Sequence, residues 1–432
     1  MSFHSKKHKI ISKYLARHIQ HYFSCQKPSE NTGIIVVIPV YREKDHIFRT
    51  IASLSECENP EIDVEVILLF NASENASDEI LEEQKSVAET IRKEYQSYNS
   101  WLTFIVEERY GINRKHFGAG MARKEGMDIA LSRLFSIGKS EGIIVSLDAD
   151  SLVEPNYFIA ISEWFKDPEK TGASIYFEHP IEGNEFSSEV YAGIIKYELH
   201  LRYYMQAWRE TGFPYSYHTL GSAMAMRASA YARVGGMPKK QAGEDFYFLQ
   251  KLIPLGNFGE INTTKVIPSP RPSDRVIFGT GAAIANHLAG NNDINLTYNY
   301  KAFLDLKQFF SILHQLYYIK PSEFEQFTLQ LAKPLKDFFY DSDFLTDLEA
   351  LKNNCASCEV FNKRFFELFN AFKVVKYLNF VHNGYFEKTS VMEAGLAFLK
   401  NKNYIVSGLN NERELLEFYR KLEKEVYLPV GH

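Results

Sequence analysis

The stretch Ile143-Ile-Val-Ser-Leu-Asp148-Ala149-Asp150 decides the fold and indicates where the chemistry lies. Its apolar run is typical of a strand buried on both faces, as in a parallel sheet. Ligands of such sheets gather beyond the carboxyl ends of the strands, where Asp148 and Asp150 stand. Residues two apart in extended chain point to the same side, so both carboxylates can address one divalent cation. The alternative is a solvated turn, because an Asp-x-Asp sequence is common by chance.

Strand and helix patterns alternate ahead of this stretch. Apolar runs at residues 33–40, 65–70 and 102–106 predict three further strands, and residues with helical periodicity follow each of them. This alternation predicts an α/β fold, with a mostly parallel sheet sandwiched by helices.

The strand signals stop near residue 285, and long helical patterns follow. We therefore predict three parts along the chain. They are a basic N-terminal segment at 1–30, an α/β domain at 31–285 and an all-helical C-terminal region at 286–432.

Four motifs, in this order and spacing, resemble those of the inverting glycosyltransferases of family 2, which have the GT-A fold. They are Val37-Ile-Pro-Val-Tyr-Arg-Glu43, Gly118-Ala-Gly-Met-Ala-Arg123, Ser146-Leu-Asp-Ala-Asp150, and the block from Gly221-Ser-Ala-Met-Ala-Met-Arg227 through Gly235-Gly236 to Gly243-Glu-Asp245. The resemblance covers residues 33–250. It implies a metal-assisted enzyme that moves a sugar from a nucleotide-diphosphate donor to an acceptor hydroxyl.

The resemblance also implies roles for residues at the strand ends. Asp150 would be a ligand of Mg²⁺ or Mn²⁺, and Asp148 would hold the metal or the ribose. The turn after the first strand would line the nucleotide, through Pro39, Val40, Tyr41 and Glu43.

Asp245 would be the catalytic base, because the attacking hydroxyl of an inverting transfer must lose its proton to a nearby group. The neighbouring Glu244 is the alternative, since adjacent residues of a helix point about 100° apart and only one can face the acceptor. Arg271 and Arg275, in a Pro-rich segment, are candidates to neutralise the departing diphosphate, or are ordinary surface arginines. Arg123 either touches phosphate from a helix start or lies on a solvated helix face.

The sequence departs from the family pattern at informative places. Asn71 replaces the acidic residue that usually follows the second strand and contacts the base, so the preferred nucleotide is left open. The Gln-x-x-Arg-Trp motif of processive synthases is absent, which favours a single transfer. His287 is a candidate additional metal ligand, or an ordinary hydrogen-bonded histidine. Retaining stereochemistry and a sugar-phosphate nucleotidyltransferase are the alternative functions.

The composition is that of a folded protein without affinity for nucleic acid. The 432 residues include 45% hydrophobic side chains and carry a net charge of −5, and no basic patch with interleaved aromatics is visible. The longest apolar run, Ile34 to Val40, is too short to cross a bilayer, no signal peptide is apparent, and the four cysteines are sparse. We therefore expect a soluble, cytoplasmic protein.

The first thirty residues are basic and have an amphipathic pattern. No acid precedes Glu30, while five basic residues alternate with the apolar face of a predicted helix, which contains Ile11 and Tyr14. Such a segment either makes peripheral contact with the inner face of an anionic membrane or packs as a helix against its own domain.

The sequence leaves the acceptor open between a glycan, a small molecule and a lipid. Aromatic residues between 176 and 220 are candidates to stack on sugar rings, or are ordinary core residues. They include Tyr191, Tyr197, Tyr203, Tyr204 and Trp208.

Overall fold

The computed structural model describes residues 3–18, 27–95, 99–240, 243–275 and 278–425. They form two compact units. The described residues of 3–183 and 217–282 form the first unit, and those of 184–216 and 283–425 form the second. The predicted boundary near residue 285 lies close to the second junction. The segment 184–216, which lies inside the range predicted for the α/β domain, is grouped with the second unit.

The first unit contains eight strands and most of the early helices. Its strands are β1 (Thr32–Val40), β2 (Asp63–Ser73), β3 (Leu102–Ile112), β4 (Ile143–Ser146), β5 (Leu152–Val153), β6 (Gly172–Phe177), β7 (Met224–Arg227) and β8 (Phe258–Ile267). Its helices are α1 (Phe3–His18), α2 (Ile47–Ser55), α3 (Asp78–Glu94), α4 (Ala119–Ser136), α5 (Tyr157–Trp164), α7 (Ala228–Arg233) and α8 (Glu244–Leu252). A 3-10 turn, Ile253–Leu255, follows α8.

The eight strands form one mixed sheet in the order β3-β2-β1-β4-β7-β6-β8-β5. Four of its seven neighbouring pairs are parallel, and the block β3-β2-β1-β4 is parallel throughout. The central strands are fully apolar because both faces are covered: residues Ile34 to Ile38 have no exposed surface. The predicted fold class, an α/β sheet between helices with a helical C-terminal region, is confirmed.

Parallel register brings three strand ends to one edge of this sheet. Val37 of β1 lies opposite Ser146 of β4, and Val40 lies opposite Phe70 of β2. Helix α4 approaches β1 closely because Gly126 has no side chain; a Cβ there would lie 2.3 Å from Cγ1 of Val37. This contact holds the first turn of α4 beside the strand ends.

The N-terminal helix α1 packs against its own unit. Ile11 is fully buried, and the hydroxyl of Tyr14 donates to Asp128 Oδ1 at 2.7 Å. Tyr231 of α7 donates to the same oxygen at 2.7 Å, and Lys124 Nζ donates to Asp128 Oδ2 at 2.7 Å. Of our two interpretations of this segment, the structure therefore supports docking on the protein itself. Within the described ranges, no helix is long and apolar enough to span a bilayer.

The second unit is helical apart from one short strand pair. The chain passes into it within α9 (Thr280–Leu288), and the antiparallel pair is β9 (Leu296–Thr297) with β10 (Thr389–Ser390). Its remaining helices are α6 (Ser188–Glu210), α10 (Tyr300–Ser311), α11 (Gln315–Tyr318), α12 (Phe324–Thr328), α13 (Lys333–Tyr340), α14 (Phe344–Asn353), α15 (Cys358–Leu368), α16 (Ala371–Gly384), α17 (Val391–Asn401) and α18 (Glu412–Glu425), with a 3-10 turn at Pro321–Glu323.

Phenylalanine side chains form much of the core of this unit. Phe339 and Phe344 stack with ring centroids 4.1 Å apart, and Phe365 and Phe369 stack at 6.0 Å. Offset and edge-to-face ring contacts add to the free energy gained from burial. The aromatic periodicity in the C-terminal sequence is thus explained by packing.

A buried charge network joins α6 to α18. Arg202 has no exposed surface; its guanidinium donates to Glu198 at 2.8 Å and to Glu423. Arg420 donates to Glu198 at 2.7 Å, so two arginines balance two glutamates. Burying an ion costs free energy because it loses its hydration, and an ion pair of opposite charge offsets that cost. Removing one member of the network leaves a buried charge without this offset.

We expect Arg202→Met to lower the free energy of unfolding of the second unit by about 3–5 kcal/mol, because it leaves Glu423 and Glu198 with too few cationic partners. The matched control is Arg413→Met, whose pair with Glu417 at 3.2 Å is half exposed and contributes about 1 kcal/mol or less. Urea unfolding followed by circular dichroism measures both. Equal losses in the two variants would show that the buried network adds no stability beyond a surface pair.

Candidate active site

The site lies at the edge where β1, β2 and β4 end. Pro39 and Tyr41 are partly exposed there, whereas Val40 is 1% exposed and its side chain belongs to the core. The ring of Tyr41 packs edge-on against Phe117, with centroids 4.8 Å apart. Asp148 and Asp150 follow β4 at the same edge, and both keep part of their surface exposed.

Arg123, the fifth residue of α4, is 4% exposed, so it is not on a solvated helix face. Its Nη2 donates to Asp148 Oδ1 at 2.7 Å, and its Nη1 donates to Glu244 Oε1. Although burial alone lowers the pKa of Arg123, the charges of Asp148, Glu244 and Asp245 raise it above its usual value. The guanidinium therefore stays protonated and holds the end of β4 beside the start of α8.

The close approach of Gly221 makes room for this guanidinium. A Cβ at Gly221 would lie 2.9 Å from Nη2 of Arg123, so a side chain would displace the cation from its carboxylates. Gly221 opens the fourth of the sequence motifs that predicted the site, and this contact gives the glycine a physical role.

A second cluster joins the loop after β8 to the turn after β1. Arg271 donates from Nε to Asp150 Oδ2 at 2.7 Å and from Nη2 to Glu43 Oε1 at 2.5 Å. Arg275 lies 2.8 Å from the same Glu43 oxygen and donates to the carbonyl of Tyr41. Both arginines thus contact groups at the strand ends. They hold the Pro-rich loop over the strand ends.

Glu43 keeps one carboxylate oxygen that has no hydrogen bond to any described residue. Its side chain is 10% exposed, and among the described residues Oε2 meets no hydrogen-bond donor. Burial raises the pKa of Glu43, the charge of Asp150 adds to the rise, and Arg275 and Arg271 oppose it. A buried acceptor without a partner is costly, so this oxygen is suited to receive a hydroxyl from a ligand.

The two acidic residues at the start of α8 have different surroundings. Glu244 is 5% exposed and bonded to Arg123, and burial raises its pKa while Arg123 opposes the rise. Asp245 is partly exposed, and its Oδ1 accepts from the backbone nitrogen of Phe246 at 2.7 Å. Glu244 is therefore engaged in holding Arg123, while Asp245 remains accessible from solvent.

The structure adds one positioning residue that the sequence did not reveal. Gln84 of α3 is 2% exposed; its amide donates to the carbonyl of Asn71 at 2.6 Å and accepts from the backbone nitrogen of Arg42. Asn71 is itself 2% exposed and donates to the carbonyl of Gly118. Its amide therefore ties the end of β2 to the loop before α4 and does not form an open wall of the site. The sequence does not reveal that Gln84 is buried, because a polar residue on an amphipathic helix is normally expected on the exposed face.

The strand-end carboxylates fit a divalent cation as two of its ligands. Asp148 and Asp150 each give one oxygen to an arginine in the hydrogen bonds described above, which leaves each a second oxygen. Mg²⁺ and Mn²⁺ accept such a pair together with phosphate oxygens and water. In the described part of the chain, no three side chains of His, Cys, Asp or Glu are grouped as a metal site. His287, the candidate additional ligand, lies on α9 in the second unit.

Some solved structures share a distant likeness with the chain. TarS 1–349 of S. aureus in complex with UDP-GlcNAc is 13% identical, with a TM-score of 0.38, over 78% of this chain and 90% of that one. The mannosyltransferase PcManGT of Pyrobaculum calidifontis, in complex with GDP-Man and Mn²⁺, is 13% identical with a TM-score of 0.33, over 98% and 95%. GalNAc-T7 with UDP, GalNAc and Mn²⁺ is 13% identical with a TM-score of 0.38, over 79% and 58%.

No curated protein matches the chain in sequence. The family model described as "Glycosyl transferase family group 2" matches residues 143–273. This stretch contains both strand-end carboxylates, the acidic pair of α8 and Arg271, which are the groups that the structure gathers around one edge of the sheet. The match shows that this stretch, less than a third of the chain, is similar to the glycosyltransferases of family group 2.

Proposed function

We propose that the protein transfers one sugar from a nucleotide-diphosphate donor to an acceptor hydroxyl, with inversion at the anomeric carbon and with help from Mg²⁺ or Mn²⁺. The observation that carries the proposal is the position of Arg123, which bonds both Asp148 and Glu244. It keeps the carboxylates at the end of β4 and the candidate base Asp245 in one cluster, as a single transfer site requires.

The donor would lie across the two arginine clusters. A divalent cation on Asp148 and Asp150 would neutralise charge that builds up on the departing diphosphate. Arg271 and Arg275 supply further positive charge from the loop after β8, and charge-assisted hydrogen bonds to phosphate are among the strongest in proteins. Glu43 Oε2, which is buried without a partner among the described residues, would accept a ribose hydroxyl.

Asp245 is the better candidate for the base. It is accessible and belongs to the Arg123 cluster, whereas the carboxylate of Glu244 is bonded to the guanidinium. A base must reach the acceptor hydroxyl and take its proton as the new bond to the anomeric carbon forms. The lack of a Gln-x-x-Arg-Trp motif supports transfer of a single sugar. The acceptor remains a glycan, a small molecule or a lipid.

Asp150→Ala should weaken Mn²⁺-dependent binding of nucleoside diphosphates by about 100-fold or more, since even the supporting partners of metal ligands contribute up to about that factor. Calorimetry with UDP and GDP, with and without Mn²⁺, measures the effect, after a thermal-shift screen has identified the preferred nucleotide. Asp167→Ala, at a half-exposed surface position, is the matched control. Unchanged binding in Asp150→Ala would reject the metal role.

Asp245→Asn should leave donor binding intact and slow turnover by about 10²–10⁴-fold, because the amide keeps the shape but cannot take a proton. Hydrolysis of the donor by water measures turnover without an identified acceptor. Glu244→Gln should weaken both binding and turnover, because it releases Arg123. If Glu244→Gln alone lost turnover with binding intact, the base would be Glu244.

The product should carry the anomeric configuration opposite to that of the donor. One water or acceptor oxygen attacks from the face opposite the diphosphate, so an α-linked donor gives a β-linked product. Proton NMR of the first product formed, recorded before mutarotation, distinguishes the two anomers. A retained configuration would replace the inverting proposal by the retaining alternative while leaving the donor site unaffected.

A further inference from the structure

The second unit contains a cavity of about 270 Å³ that the transfer site does not explain. Its walls come from α6, from residues 292–298 and from Lys388 just before β10. The side chains that define it chemically are Tyr197, His200, Asp293, Thr297, Tyr298 and Lys388. Sites for drug-sized ligands begin near 300 Å³, so this cavity has the size for one small ring.

The cavity wall is polar and aromatic at once. Tyr197 and Tyr298 supply aromatic rings, Lys388 supplies hydrogen-bond donors, and Asp293 supplies acceptors. Among the five aromatic residues that the sequence suggested for sugar stacking, Tyr203 and Trp208 are buried core residues. Tyr197, by contrast, lines the cavity.

The charges around the cavity nearly cancel. Lys388 contributes one positive charge, with its ammonium 5.8 Å from the centre of the Tyr298 ring, and Asp293 contributes one negative charge. His200 bonds Thr297 Oγ1 through Nδ1 at 2.7 Å. Burial, together with Lys388, lowers the pKa of His200 to about 4, so the imidazole is neutral at physiological pH. A phosphate or another strong anion would be expected to need more positive charge than this.

We propose that this cavity is a saccharide-binding site of the second unit, specific for a neutral pyranose ring. A sugar ring has apolar faces that suit the tyrosines and hydroxyl groups that both donate and accept hydrogen bonds. The site lies wholly within the second unit and does not depend on the transfer reaction. It gives the helical unit a saccharide site of its own, separate from the donor site proposed for the first unit.

The test uses the full-length protein in EDTA without nucleotide, so that metal-dependent donor binding does not contribute. Glucose, mannose, galactose and N-acetylglucosamine are the probes, and glucuronate is the charged comparison. Saturation-transfer NMR and calorimetry measure binding. Lys388→Gln removes the exposed cation, and Asn292→Trp fills the cavity from an exposed loop position.

At least one neutral sugar should bind the wild type, and both variants should weaken that binding by about tenfold or more. Lys363→Gln, an equal charge change at an exposed position of α15, should bind as wild type does. Circular dichroism shows whether each variant is folded. If Asn292→Trp does not fold, Lys388→Gln alone decides the test. The proposal would be overturned by any one of three results. They are no binding of any neutral sugar, binding of glucuronate alone, and unchanged sugar binding in the folded variants.

Asp150→Ala separates this proposal from that of the transfer site. The variant should lose nucleotide binding but keep sugar binding in the second unit. If Asp150→Ala loses sugar binding as Lys388→Gln does, the saccharide occupies the first unit and the cavity proposal fails. If nucleotide binding fails in the wild type while sugar binding persists, only the proposed transfer function is affected.

Discussion

The buried guanidinium of Arg123 is the charge on which the candidate site depends, because a cation removed from water needs carboxylates and here takes them from two distant parts of the chain. Asp148 follows 25 residues later and Glu244 121 residues later. The sheet brings Asp148 to its edge through the parallel register of β1 and β4, and Gly126 lets α4 approach closely enough for Arg123 to reach it. The fold and the site thus share one electrostatic requirement.

Charge balance also connects the two arginine clusters. In the described structure, Arg123, Arg271 and Arg275 face four carboxylates, those of Glu43, Asp148, Asp150 and Glu244. A diphosphate without its cation would add negative charge to an edge that already carries a small excess of it. If a divalent cation binds together with the diphosphate, the net charge at this edge of the sheet stays nearly constant. We therefore expect the metal and the donor to bind together, since each lowers the electrostatic cost of the other.

The sequence predicted the α/β fold because periodicity reports which face of an element is buried. It also predicted Asp148, Asp150 and Asp245 as a set, through motif order and spacing. It could not predict that Gln84 and Asn71 are buried, since their partners are backbone groups of segments brought near only by folding. Nor could it predict that α6 leaves the α/β unit, because an aromatic helix packs equally well in either core.

The network around α6 has a consequence for how the protein is made. Domains form largely in the order in which the ribosome releases them, but Arg202 and Glu198 take their outer partners from residues more than 220 positions later. Until α18 emerges, this helix has only the mutual i,i+4 pair of Glu198 and Arg202 from the network described above. The second unit therefore cannot complete its interior during most of translation. Nascent chains that end before residue 412 would expose to chaperones and proteases the face of α6 that α18 covers.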